Sequence, residues 1–151
     1  MQNVQHALTL LRSVEGLHHL EINADGNAEI VIEGALSIYL QQIDEMQLEY
    51  SCVLDEVVPP FSQAQYEAML TANMLGDGTG PARLAMEADT KRVVLCQRVD
   101  VSTLDATDVE NGFTGFVQLC VYWLTDGTDA LLDASSNDGG SVSDLGTMIR
   151  V

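Results

Sequence analysis

Basic residues are scarce in this chain: six Lys and Arg stand against twenty-three Asp and Glu among 151 residues, a formal charge of −17. So acidic a surface repels phosphate backbones and anionic headgroups, which argues against nucleic acid partners and membrane insertion. Long apolar runs are also missing. Each falls well short of the roughly 20 residues that span a bilayer, and no basic-then-apolar leader opens the sequence. The three cysteines, Cys52, Cys96 and Cys120, are odd in number, far apart and set among apolar neighbours. They read as buried free thiols, and a reducing cytoplasm fits them.

Chemistry-bearing patterns are equally thin. Gly76, Gly78 and Gly80 follow a helical segment instead of a strand, and no Lys-Ser or Lys-Thr pair completes a phosphate loop, so a helix-ending turn is expected. His18 and His19 are adjacent, hence on opposite faces of an extended segment, without a further Cys or His at ligand spacing; His6 falls on the polar side of the first helix. Asp25-Gly26-Asn27 and Asp77-Gly78-Thr79 lack the alternating oxygen ligands and closing Glu of a calcium loop. The pairs Asp44-Glu45 and Asp55-Glu56 sit beside loops, where solvated carboxylates are the ordinary case. No serine lies in a nucleophile-elbow setting. An enzyme, a metal site and a cofactor are all unsupported.

What the chain does have is 46% hydrophobic residues, enough for one core without crosslinks. Val4, Ala7, Leu8, Leu11 and Val14 recur at helical spacing, with Gly16 as a terminator. Leu20 and Ile22 alternate before the turn pair Asp25-Gly26, and Ile30 and Ile32 alternate after it. Leu36, Ile38 and Leu40 form a further strand. Met46, Leu48, Tyr50, Cys52 and Leu54 then alternate with Gln47, Glu49 and Ser51, the pattern of a sheet with one dry and one wet face.

Ser62 and Gln65 make a capping box, with Phe61 and Tyr66 at the staple positions. Tyr66, Met69, Leu70, Asn73 and Met74 line a stripe that Gly76 ends; an Asn there needs a polar partner, its own symmetry mate being one candidate. Strands Ala82 to Glu87 and Arg92 to Val99 turn at Ala88–Lys91, and apolar residues on both faces of the second imply that both are covered. The final helix starts near Ala106, with Asp105 and Asp108 at its dipole-favoured end, and two glycines, Gly112 and Gly115, weaken it. Beyond Thr125 the chain turns Gly-, Ser-, Asp- and Asn-rich. The expected organisation is a domain over 1–125 and a flexible acidic tail over 126–151.

The run Asn73-Met74-Leu75-Gly76-Asp77-Gly78-Thr79-Gly80-Pro81-Ala82-Arg83-Leu84-Ala85-Met86 continues through Arg92-Val93-Val94-Leu95-Cys96-Gln97-Arg98 to a helix ending in Tyr122-Trp123. It resembles the class I chaperones of type III secretion systems, the Tir chaperone or CesT-like family. The resemblance covers residues 3 to 124, apart from the extra short strand near Leu20. It implies an α+β fold, an antiparallel sheet flanked by three helices in the order helix, three strands, helix, two strands, helix. It also implies a homodimer in the bacterial cytoplasm, without catalytic activity. Such a protein binds the N-terminal part of an effector in extended form and delivers it to the secretion apparatus, whose secretion ATPase becomes a candidate partner.

By matching elements the resemblance assigns Tyr66, Met69, Leu70, Asn73, Leu84 and Met86 to the dimer interface. It assigns Leu8, Leu11, Leu20, Ile22, Ile30 and Ile32 to effector binding; core packing is the competing reading for each. A competing function is a small acidic antagonist, or nucleic-acid mimic, that blocks a basic surface. That would place acidic residues in rows on one face, whereas here they are scattered.

Overall fold

The computed structural model describes residues 3–136. Helix α1 (Val4–Leu11) leads into strands β1 (Asn27–Ile32), β2 (Leu36–Gln42) and β3 (Gln47–Val53). Helix α2 (Gln63–Asn73), strands β4 (Arg83–Met86) and β5 (Val93–Asp100), helix α3 (Ala106–Tyr122) and helix α4 (Thr128–Ser136) follow. The strands form one antiparallel sheet in the order β1-β2-β3-β5-β4.

One face of the sheet is dry because of the alternation seen in the sequence: Leu48, Tyr50, Cys52 and Leu54 are all buried, as are Ile38, Leu40, Val93 and Leu95. α3 covers that face. The Tyr50 ring meets Phe113 and Phe116, each at 5.6 Å between centroids. α1 packs on α3 with Val4, Ala7, Leu8 and Leu11 inward. At β5 both faces are covered, as expected. Val94 and Cys96 lie opposite the helices and are covered by neighbouring side chains. Beside them Glu49 accepts hydrogen bonds from Arg83 and Arg98, bridging β4, β5 and β3. Partial burial pushes the Glu49 carboxyl up, but the two guanidinium bonds outweigh it and hold the group below the ordinary carboxylate range.

Capping boxes open both long helices, the first as expected and the second in addition to the expected dipole effect. Ser62 and Gln65 exchange capping-box bonds of 3.1 and 2.9 Å, and Asp105 and Asp108 do the same at 2.8 and 3.1 Å. Gly112 and Gly115 do not interrupt α3, which runs unbroken for 17 residues.

Three expectations change. Leu20–Ile22 is not a strand: Leu20 is buried in a looped segment, and Asn23 Oδ1 ties the following turn by accepting from the Asp25 and Asn27 N–H groups. α1 ends at Leu11, a turn before Val14. The expected tail does not begin at 126. A π turn over Trp123–Gly127 leads into α4, where Leu131 is buried and its carbonyl accepts from Gln65 Nε2 at 3.2 Å. Gly127 is required there because a Cβ would collide with the Trp123 ring. The remainder of that tail, 137–151, lies outside the described residues.

Candidate functional site

Two surfaces stand out, one on a helix and one on a sheet edge. Tyr66, Leu70 and Met74 recur every four residues on the outer side of α2, 44%, 71% and 63% exposed, and Leu75 follows at 91%. Leu75 adopts φ +56°, a left-handed conformation that costs a leucine roughly 1–2 kcal/mol. The chain thus holds an apolar side chain fully in water at the price of backbone strain. A contiguous exposed stripe of this kind marks a protein interaction surface.

The turn after it is fixed by close approach. The Gly78 N–H donates to the Ala72 carbonyl at 2.9 Å, and a Cβ on Gly78 would sit 3.0 Å from that of Ala72. The Gly78 carbonyl accepts from Trp123 Nε1 at 3.0 Å, so the Gly-rich turn is pinned to the end of α3.

The two sheet edges differ. At β4 the Asn73 side chain acts as a short extra strand: its Oδ1 accepts from the Leu84 N–H at 2.8 Å and its Nδ2 donates to the Leu84 carbonyl at 3.0 Å. Asn73 therefore finds its polar partner inside its own chain. At β1 nothing comparable occurs beyond Asn27, whose N–H and carbonyl are taken up by Asn23. The Gly26 carbonyl accepts from Gln42 N–H, so ladder alternation turns Ala28, Ile30 and Ile32 toward β2 and leaves the backbone groups of Glu29 and Val31 facing outward. Val31 is 54% exposed.

Two hollows flank this edge. One, of about 530 Å³, lies among Val14, Leu17, Val31, Ile32, Phe113 and Val117, with Glu15 and Glu33 also in its wall. The other, of about 260 Å³, shares Leu17 and Val31 and includes Glu29 and His19. Together they offer an unpaired strand border with apolar floors and acidic walls.

The residues assigned from the sequence divide accordingly. Tyr66 and Leu70 lie on the outer stripe, but Met69 and Leu84 are buried in the chain's own core, Asn73 is committed to β4, and Met86 is half-buried. On the other surface Leu8, Leu11, Leu20 and Ile30 are buried, and Leu20 and Ile30 contribute to the wall of the smaller hollow. Ile22 and Ile32 remain half-exposed, and Ile32 lines the larger hollow. Leu75, Val31 and the acidic wall residues Glu15, Glu29 and Glu33 were not singled out. An apolar residue at a helix-terminating position gives no periodic signal, and within the run Ile30-Val31-Ile32 the alternation of the two Ile residues hides that Val31 faces outward. Among the described residues no group of three His, Cys, Asp or Glu is placed to hold a metal ion, and no helix is long and apolar enough to cross a membrane.

The sequence model of the Tir chaperone protein (CesT) family matches residues 6–124. No curated protein matches the sequence. Among solved structures, the fold is similar to a chain of the Yersinia pestis type III secretion chaperone SycH in complex with a stable fragment of YscM2. The TM-score is 0.56 at 20% identity, over 76% of this chain and 97% of that one. A chain of the HopA1–SchA chaperone–effector complex gives 0.55 at 11% identity, over 70% and 80%. A chain of the heterodimeric ExoU–SpcU complex from the type III secretion system of Pseudomonas aeruginosa gives 0.56 at 15% identity, over 84% and 95%. At these identities the likeness is one of fold.

Proposed function

Because the chain belongs to the Tir chaperone protein (CesT) family, we propose that it works in the cytoplasm as a homodimeric type III secretion chaperone, pairing through the outer face of α2 and holding an extended effector segment along the β1 edge. The observation that carries this reading is the asymmetry of the sheet: β4 is closed by Asn73, while Glu29 and Val31 present outward backbone groups beside two apolar hollows. SycH with its YscM2 fragment and the HopA1–SchA complex, both similar in fold, show chaperones of this kind with bound partners.

The energetics require both halves of the site. Four backbone bonds from Glu29 and Val31, at about 0.5–1.5 kcal/mol each, supply ~2–6 kcal/mol, short of the ~8 kcal/mol of micromolar affinity. Apolar side chains of the segment must therefore fill the hollows, each buried Leu or Ile adding roughly 1.5–3 kcal/mol. Glu15, Glu29 and Glu33 favour a segment with Lys or Arg between its apolar residues. Handing the loaded effector to the secretion ATPase completes the proposal.

The test combines mass and binding. Sedimentation equilibrium should give twice the chain mass, and Leu70→Asp should return it to one. The protein encoded by the adjacent reading frame, co-expressed, should purify with the dimer. Val31→Pro removes one outward N–H at an edge where proline is tolerated; it should leave the dimer intact and weaken that complex by about 2- to 12-fold. A monomer at micromolar concentration, or a complex indifferent to Val31→Pro, would overturn the corresponding half.

A further inference from the structure

The border of β1 asks for a short strand with apolar residues on one side and a cation on the other, and the sequence after α4 contains one. Asn137-Asp138-Gly139-Gly140-Ser141-Val142-Ser143-Asp144 has the composition of a linker. After it the pattern changes. Leu145, Thr147, Ile149 and Val151 alternate with Gly146, Met148 and Arg150, three of the four being aliphatic and three β-branched. Arg150 is one of only six basic residues in the chain. Reach is sufficient. Leu124 and Ala35, the residue after the β1 turn glycine Gly34, line one hollow, and the twelve largely helical steps from Leu124 to Ser136 cover at most about 18 Å. The nine steps from Ser136 to Leu145 can span about 30–32 Å, enough to return to the same end of the sheet.

We propose that residues 145–151 dock on the chain's own β1 edge as an antiparallel sixth strand, a placeholder that an extended client displaces; the proposal rests on β1 being the client edge. Glu29 and Val31 carry the outward backbone groups, so they form the hydrogen-bonded pairs, and one register satisfies both sides of the strand. In it Arg150 lies opposite Glu29 and Met148 opposite Val31, on the sheet face away from the helices, where Glu29 and Val31 sit beside Tyr39 and Ser37. Ile149 then falls opposite Ile30, at the smaller hollow with Leu17 and Leu20. Thr147 falls opposite Ile32, and Leu145 continues toward Glu33 at the larger hollow with Phe113 and Val117. The parallel alternative puts Arg150 on Val31 and Met148 on Glu29, which wastes both pairs. A tether of this length gives an effective concentration of about 1 mM, so a segment with an affinity of about 0.1 mM lowers the affinity of any competitor about tenfold. A longer client that fills both hollows overcomes that factor, whereas short adventitious strands do not.

The experiment compares the full chain with one stopped after Ser143, which keeps α4 and every described residue. The probe is a fluorescent synthetic peptide of residues 144–151, followed by anisotropy. It should bind the shortened chain and bind the full chain about tenfold more weakly. Glu29→Lys in the shortened chain should weaken the peptide about 2- to 5-fold, and a peptide carrying Arg150→Glu should regain that loss on the Glu29→Lys chain. Equal binding to both chains, or no binding to the shortened chain at millimolar peptide, would overturn the proposal. Masking that vanishes on dilution of the full chain would place the segment on a second copy and overturn it too. The two readings fail separately. A masked peptide with no adjacent-frame protein captured by either chain supports the docking of 145–151 and removes the client reading; an unmasked peptide beside a complex that Val31→Pro weakens removes this proposal alone.

Discussion

Replacing Asn73 by Ala removes both bonds that its amide makes to Leu84, at 2.8 and 3.0 Å. Two such bonds contribute about 1–3 kcal/mol net, more if the Leu84 groups find no water in their half-buried setting. Alanine is the better helix former by roughly 0.5 kcal/mol, and Asn73 is the last residue of α2, so part of the loss is offset. The balance is a destabilisation of ~0.5–2.5 kcal/mol, and at about 4 °C per kcal/mol for a chain of this size, Tm falls by ~2–10 °C. Asn73→Asp should be no better than Ala, since it keeps an acceptor for the Leu84 N–H but sets a carboxylate against the Leu84 carbonyl. The assay is thermal unfolding followed by circular dichroism over a wide range of protein concentration. An Asn that bonded its symmetry mate would lose stability in a concentration-dependent way; an Asn that caps its own β4 loses the same increment at every concentration. An unchanged Tm would refute the reasoning outright.

Glu49→Gln removes a carboxylate held below its ordinary pKa of 4.5. The stabilisation of such a group is present above its unfolded value and lost as pH falls through the folded one. The variant should thus be less stable at pH 7, by about 0.5–1 kcal/mol given the exposed arginines, and the gap should close in urea titrations well below pH 4.5. Leu75→Gly should leave urea stability unchanged or raise it by up to ~1 kcal/mol, because glycine relieves the left-handed strain at some entropic cost. The same variant should weaken self-association in sedimentation. Ending the chain after Thr125 deletes the buried Leu131 and the bond from Gln65, for a loss of about 3–4 kcal/mol in urea unfolding. An unchanged midpoint would mean that α4 contributes nothing to the core.

The elements with a single strong period are legible in the sequence: β3 through Leu48, Tyr50, Cys52 and Leu54, α3 through Phe113, Phe116 and Cys120, and the capping box of Ser62 and Gln65; that Asp105 and Asp108 form a second one is seen only in the structure. Failures occur where one pattern serves two structures. Leu20 and Ile22 have strand spacing, but one buried side chain in a turn satisfies it equally well. α4 carries only Leu131 and Leu132 as large apolar residues in a polar stretch, too few to show a period, and its burial depends on the distant Gln65. The α2 stripe is wide enough to face both ways: Met69 goes into the core while Tyr66, Leu70 and Met74 go out, and spacing alone cannot say which side meets the chain's own sheet. Matched elements identify a neighbourhood and not which side chains in it stay uncovered, so Leu20, Ile30 and Ile32 reach the hollows beside β1 while Leu11 is covered by the chain's own core.

The amide that seals β4 has a consequence for how copies of this chain can aggregate. A sheet with two free borders can grow without limit, the front of one molecule docking on the back of the next. Here the back is plugged at Leu84, so head-to-tail growth has no template there. A β1 border can still meet a second β1 border, and that pairing ends the series, because both outer margins are then plugged β4 edges. The molecule can expose a hungry sheet margin at high concentration and still be protected from fibre formation.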